Sequence, residues 1–134
     1  MAVKFIDNSA QFLADLEIQR KAGLEACGNQ AVSHSKSIIT SAGRIATGNM
    51  HDHVDHKVQD EVCYVGTNTR YAIYNEMGTG IYIAGGRKTP WHYKDAEGEW
   101  HTTKGMPPIH FIKNSLANFI AEYKAIFIKH LRGG

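Results

Sequence analysis

Val65-Gly-Thr-Asn-Thr-Arg-Tyr-Ala-Ile-Tyr-Asn-Glu-Met-Gly-Thr-Gly80 is the stretch on which the fold turns. Val65 closes a run of strand formers, Val62-Cys63-Tyr64-Val65, whose branched and aromatic side chains suit a pleated surface. Gly66-Thr67-Asn68 breaks the strand. Residues 71–77 then read as a short helix, and Gly78 ends it by adopting the left-handed backbone that other residues resist. Strand, break and short helix in such close succession belong to an α+β fold.

Upstream, Val54 and Val58 sit among polar residues, so the pattern predicts two strands between His51 and Val65 with a turn near Asp60-Glu61. Before them, residues 8–42 read as a long helix. Phe12, Leu13, Leu16, Leu24, Cys27, Ala31 and Ile38 recur at helical spacing and predict one apolar face. Asn8 or Ser9 is expected to cap it. Gly23 and Gly28 each cost about 1 kcal/mol against alanine, so a kink or a division into two helices is expected there. Gly43 and Gly48 bracket its end.

Downstream, 78–106 reads as a glycine-rich loop carrying a β-hairpin. Trp91-His-Tyr-Lys94 and Glu99-Trp-His-Thr-Thr103 flank the short turn Asp95-Ala-Glu-Gly98. Pro107-Pro108 forbids helix and sets up the next element. Residues 109–131 predict one C-terminal helix with Ile112, Leu116, Phe119, Ile120, Tyr123, Phe127 and Leu131 along its core stripe. Ile126 and Ile128 fall partly off that stripe, on its flank, and suggest a second contact. The expected architecture is one domain, 1–134. A long N-terminal helix, a small antiparallel sheet with a protruding hairpin, and a C-terminal helix packed on the sheet make it up.

The whole chain has 134 residues, 43% apolar and 21% charged, with a formal net charge of +2. That length buries a core without disulfides or metals. The scattered Lys and Arg exclude a strong non-specific DNA binder. Cys27 and Cys63 form no Cys-x-x-Cys pair and are expected as buried free thiols. No signal-peptide core and no membrane-length apolar run occurs.

The spacing of the polar residues bears on several chemistries. His51, His53 and Asp55 would share one face if they lay on a strand, a metal-like set with Asp52 and His56 nearby. The spacing fits no established metal motif, and solvent- or interface-facing side chains are the expectation. Gly78-Thr-Gly80 and Gly80 to Gly85 resemble phosphate loops, but the third glycine and the lysine are missing, and Pro90 blocks the helix such a loop must open. No nucleophile is paired with a base, and Glu76, Asp95 and Glu97 face no partner carboxylate. No enzyme, metal or cofactor is expected. Trp91, Tyr93 and Trp100 would stack single-stranded nucleic acid were Asp95, Glu97 and Glu99 not beside them. Cross-strand packing or burial against another protein is the better use.

Val65–Gly80 strongly resembles the tail-component family of long-tailed bacteriophages, with its Val-Gly-Thr-Asn followed by Tyr-Ala-x-Tyr-x-Glu-x-Gly-Thr-Gly. Gly85-Gly-Arg-Lys-Thr-Pro-Trp91 and Thr103-Lys-Gly-Met-Pro-Pro-Ile-His-Phe111 continue the likeness, and Thr47-Gly-Asn-Met50 resembles the family's Thr-Gly-Asn-Leu. Met77 replaces a common phenylalanine, and Ile109-His110-Phe111 lacks a frequent proline.

The resemblance implies an α+β ring subunit that completes the tail and joins it to the head, assembled in the bacterial cytoplasm and retained in the virion. The implied partners are further copies of the chain, a tail-tube or tail-terminator protein, and the head-completion or stopper protein below the portal. DNA would at most pass through the ring lumen, and no membrane is involved. A terminator that caps the tube is the nearest alternative; a metal-binding enzyme using His51–His56 is a more distant one. A ring needs one patch that meets a different patch on the next copy. The expected contact residues are Arg87, Lys88, Trp91, Tyr93 and Trp100, on a loop too long to be a mere connection.

Overall fold

The structure, a computed structural model, describes residues 6–44, 49–69 and 72–133. Helix α1 spans Ser9–Ser41. Its start differs from the sequence reading, because Asn8 makes no side-chain bond to the helix. Asp7 Oδ1 instead accepts the Ser9 backbone N–H at 2.9 Å, and hydrogen bonding to Ser9 holds the Asp7 carboxyl below its ordinary value. The expected division at Gly23 and Gly28 does not occur. These glycines are where neighbours reach the helix axis. A Cβ on Gly23 would stand 2.8 Å from Phe127 Cδ2, and one on Gly28 would stand 2.3 Å from His56 Cδ2 and 2.8 Å from Cys63 Sγ.

Helix α2 (Asn49–Asp52) leads into β1 (Val54–Gln59), which pairs antiparallel with β2 (Val62–Thr67). The turn falls at Asp60-Glu61, with Asp60 at φ 56°, a left-handed backbone that a short polar side chain tolerates. The register sets Val54 against Thr67, His56 against Val65 and Val58 against Cys63. Alternation places all six on one face, which lies over α1. Thr47 and Gly48 of the upstream motif, like Arg70 and Tyr71, lie outside the described residues.

Helix α3 (Ala72–Met77) ends at Gly78, whose φ is +84°. A 3-10 turn follows at Gly80–Tyr82, then strands β3 (Trp91–Lys94) and β4 (Trp100–Thr103), which form a separate two-stranded sheet. The C-terminal helix is divided into α4 (Phe111–Ala117) and α5 (Ile120–Leu131). Phe119 sits at the break with φ −124°. Its ring stacks on His34 of α1 at 3.6 Å and 5°. The apolar period runs straight through this break, so spacing alone does not show it. Helices α4 and α5 both lie along α1.

The core is Ile39, Met50, Val54, Ala72 and Phe111, closed by Val32, Ile38, Ile109 and Ile112. Beside it α1 meets α4 through two small buried hydroxyls. Ser35 donates to Ser115 Oγ at 2.8 Å, and Ser115 donates to the Ile112 carbonyl at 2.7 Å, so neither polar group is left unsatisfied.

The signature residues lace α3 to the chain before and inside α4. Glu76 accepts the backbone N–H groups of Ile112 and Lys113, each at 2.9 Å, and so caps the first turn of α4. His110, at the N-cap position, has a left-handed backbone and offers no cap of its own. Asn75 O accepts from Ile109 N at 2.8 Å. Arg44 donates to Asn75 Oδ1 at 3.2 Å and to the Pro107 carbonyl at 2.6 Å. Thr79 exchanges bonds with Met106, and Ile81 N donates to Lys104 O. The chains run so close here that a Cβ on Gly80 would lie 2.1 Å from Lys104 O.

Candidate protein-interaction surface

The clasp between Thr79–Ile81 and Lys104–Met106 forms the root of an arm that carries β3 and β4. Beyond that root the two strands touch each other and little else. Their register sets Trp91 against Thr103, His92 against Thr102, Tyr93 against His101 and Lys94 against Trp100. Pleating therefore puts Trp91, Tyr93, His101 and Thr103 on one face, and His92, Lys94, Trp100 and Thr102 on the other. The two tryptophans point to opposite sides, so they do not form the cross-strand aromatic cluster expected from the sequence. The aromatic cross-strand pair is Tyr93 with His101, stacked at 5.3 Å.

The remaining contacts stiffen the arm. The Arg87 guanidinium lies 5.5 Å from the Trp91 ring centroid, and Arg87 Nε donates to Thr89 Oγ1 at 3.3 Å. Lys88 Nζ donates to the Ile83 carbonyl at 3.4 Å. Arg87 and Lys88 thus secure the base of the arm while remaining exposed. Asp95 Oδ1 accepts the Glu97 and Glu99 backbone N–H groups, and Asp95 Oδ2 meets His101 Nε2 at 2.6 Å. The bond to His101 comes first in holding the Asp95 carboxyl below its ordinary value. Trp100, 69% exposed, and the exposed Tyr93 are left uncovered on opposite faces of the hairpin.

The histidine-rich stretch does not assemble. His51 lies on α2 rather than on a strand, with its Nδ1 3.0 Å from Asp52 Oδ1. His53 lies in the turn before β1. His56 turns to α1, where its Nε2 meets Glu25 Oε2 at 2.7 Å. Among the described residues, the group of potential ligand atoms close enough to share an ion is Asp95, Glu99 and His101. Both Asp95 oxygens are already engaged in holding the turn and His101.

The sequence reading missed a second surface. Phe12, Leu13, Leu16 and Ile18, on the first turns of α1, are all exposed, Phe12 at 64% and Leu13 at 62%. The C-terminal stripe is also less covered than expected. Leu116, Ile120 and Leu131 are exposed, as is Ile128. Between α1, β2 and the C-terminal helices lies an open apolar cleft of about 310 Å³, lined by Leu24, Cys27, Cys63, Leu116, Tyr123 and Phe127 among others. The two cysteines are free and half-buried at its wall.

One signal for the uncovered α1 turns was available. A helix of 33 residues is ~50 Å long, whereas a compact domain of this length has a radius of gyration of roughly 14 Å. Such a helix must overrun its own body. No described helix is long and apolar enough to cross a membrane. No protein-family model, curated protein or solved structure matches the chain.

Proposed function

We propose that the chain is a structural subunit of a tailed bacteriophage, a ring component of the neck that completes the tail and joins it to the head. The reading rests on the motif spanning Val65–Phe111 and on how apolar surface is distributed. That distribution is the observation that carries it. Large apolar side chains lie uncovered on the start of α1, on α3, on the hairpin arm and along α5. Where such residues are neighbours on one element, as at the start of α1 and along α5, the exposed apolar patch marks an interaction surface. A subunit with a neighbour on each side needs two unlike patches, and a hairpin arm with an exposed tryptophan suits a contact to a partner ring.

In this reading the role is assembly rather than catalysis. The partners are copies of the chain, the tail-tube or terminator protein, and the stopper below the portal. The site of action is the neck of the virion, after assembly in the host cytoplasm. Electron microscopy of particles made without this gene product tests it. Full heads beside finished, separate tails are expected. Abnormally long tails would assign the chain to termination of tube growth, and intact virions would remove it from the particle altogether.

A further inference from the structure

We propose that copies of this chain associate head to tail, with the first turns of α1 of one copy lying along the basic apolar face of α5 on the next. The inference deepens the ring-subunit reading and rests on it for the identity of the partner as a second copy.

The donor element is the part of α1 that overruns the body. Leu13 and Leu16 continue, at helical spacing, the same stripe that Leu24, Cys27 and Ala31 present to the cleft. Nothing in the described chain covers the first part of that stripe. Its charge is acidic. Asp7, Asp15 and Glu17 occur between Asp7 and Ile18, with no basic residue among them. Arg20 pairs with both Glu17 and Glu61 and Lys21 follows it, so from Asp7 to Lys21 three acidic side chains stand against two basic ones.

The acceptor is α5. Ile120, Tyr123, Lys124, Phe127, Ile128 and Leu131 follow one another at intervals of three, one, three, one and three and form one continuous face. Tyr123, Lys124 and Phe127 of that face line the apolar cleft, while Ile120, Ile128 and Leu131 extend it over exposed surface. Its charge is basic. From Phe111 to Gly133 the chain carries Lys113, Lys124, Lys129 and Arg132 against Glu122 alone.

Three arrangements would cover the first turns of α1, and two fail on physical grounds. The turns cannot fold back into their own cleft, because they and one cleft wall belong to the same unbroken helix. Pairing with the same turns of a second copy would set acidic residues against acidic residues, which is unfavourable at helix-contact distances. Docking on α5 of a second copy joins two apolar faces of opposite charge. This is the helix-in-groove mode of recognition. The contact is heterologous, so it repeats from copy to copy and generates a ring when the rotation closes.

Sedimentation of the purified full chain, with two matched variants, tests this. The donor variant is Leu13→Glu with Leu16→Glu, and the acceptor variant is Lys124→Glu with Ile128→Glu. All four side chains are exposed, and both variants should keep the unfolding midpoint of the parent chain. The parent should associate with rising concentration. Each variant alone should weaken association by about tenfold or more. A mixture of the two should form a dimer, because each retains the half that the other lacks. Asp15→Lys should weaken association, and adding Lys124→Asp should restore it. A parent chain that stays monomeric up to millimolar concentration overturns the inference. So does an acceptor variant that associates as the parent does, or a mixture that stays monomeric.

Particles carrying the donor variant separate this contact from the joining role. Loss of the contact with normal joining removes the role and keeps the contact. Failed joining with unchanged association keeps the role and removes the contact.

Discussion

Gly28 carries more of the packing than its size implies. Alanine there should gain about 1 kcal/mol of helix propensity. Its methyl would meet the His56 ring and Cys63 Sγ well inside contact distance, and His56 is held in place by Glu25. Overpacking of this kind costs about 1–3 kcal/mol. Gly28→Ala should therefore lose the propensity gain and destabilise the chain by up to about 2 kcal/mol in chemical denaturation. Gly66→Ala is the control. Its Cβ would meet nothing within 4 Å, and its effect should stay within about 0.5 kcal/mol. A stabilised Gly28→Ala would mean that the sheet does not press on α1 there. In the sequence Gly28 reads as a helix breaker, because local propensity is all that a linear pattern reports. Its use as a contact point depends on His56 and Cys63, which are remote in the chain.

At the scale of the element, the hairpin was legible and its surroundings were not. Aromatic and β-branched residues around Asp95-Ala-Glu-Gly98 specify two strands and a turn. Which side each tryptophan faces follows from the register, and that depends on the turn that Asp95 builds by accepting the Glu97 and Glu99 amides. Trp100 contributes little to folding where it stands exposed. Trp100→Ala should shift thermal stability by less than about 1 kcal/mol while abolishing the joining of heads to tails in complementation. Normal joining by a folded Trp100→Ala protein would remove the arm's Trp100 face from the contact. Trp91→Ala tests the opposite face separately. The α4–α5 break escaped the sequence for a related reason. The same apolar period serves one long helix or two consecutive ones, and the choice is made by Phe119 stacking on His34.

For the whole molecule, burial sets an alkaline limit on stability. Burial pushes the Cys27 and Cys63 thiols above their ordinary value of 9.0, with Cys27 and Glu25 adding to the effect at Cys63. Burial, reinforced by Glu122, pushes Tyr123 from 10.0 up to about 12. Each folded value is raised, so each contribution is complete below the unfolded value and is lost as pH rises toward the folded one. Stability should hold through neutral pH, begin to fall near pH 9, and fall further between pH 10 and about 12. Urea midpoints measured across that range should show it. Tyr123→Phe should flatten the upper part of the fall, and an unchanged slope would rule Tyr123 out as its source.

The sequence by itself determined the order and type of the main elements, but not helix α2 or the division of the C-terminal helix. Helical and strand periods, glycine stops and the proline pair are local signals, and they are written along the chain. It also determined that the stretch from Val65 to Gly80 organises the fold, since Asn75, Glu76 and Thr79 all bond across to residues 104–113. The tertiary structure alone decided which apolar residues are left over. Hydrophobic periodicity marks a face but not its cover, and cover depends on how far α1 overruns the body and how little of α5 the rest of the chain reaches. The surface that remains uncovered is set by that mismatch of lengths and by packing between residues distant in sequence.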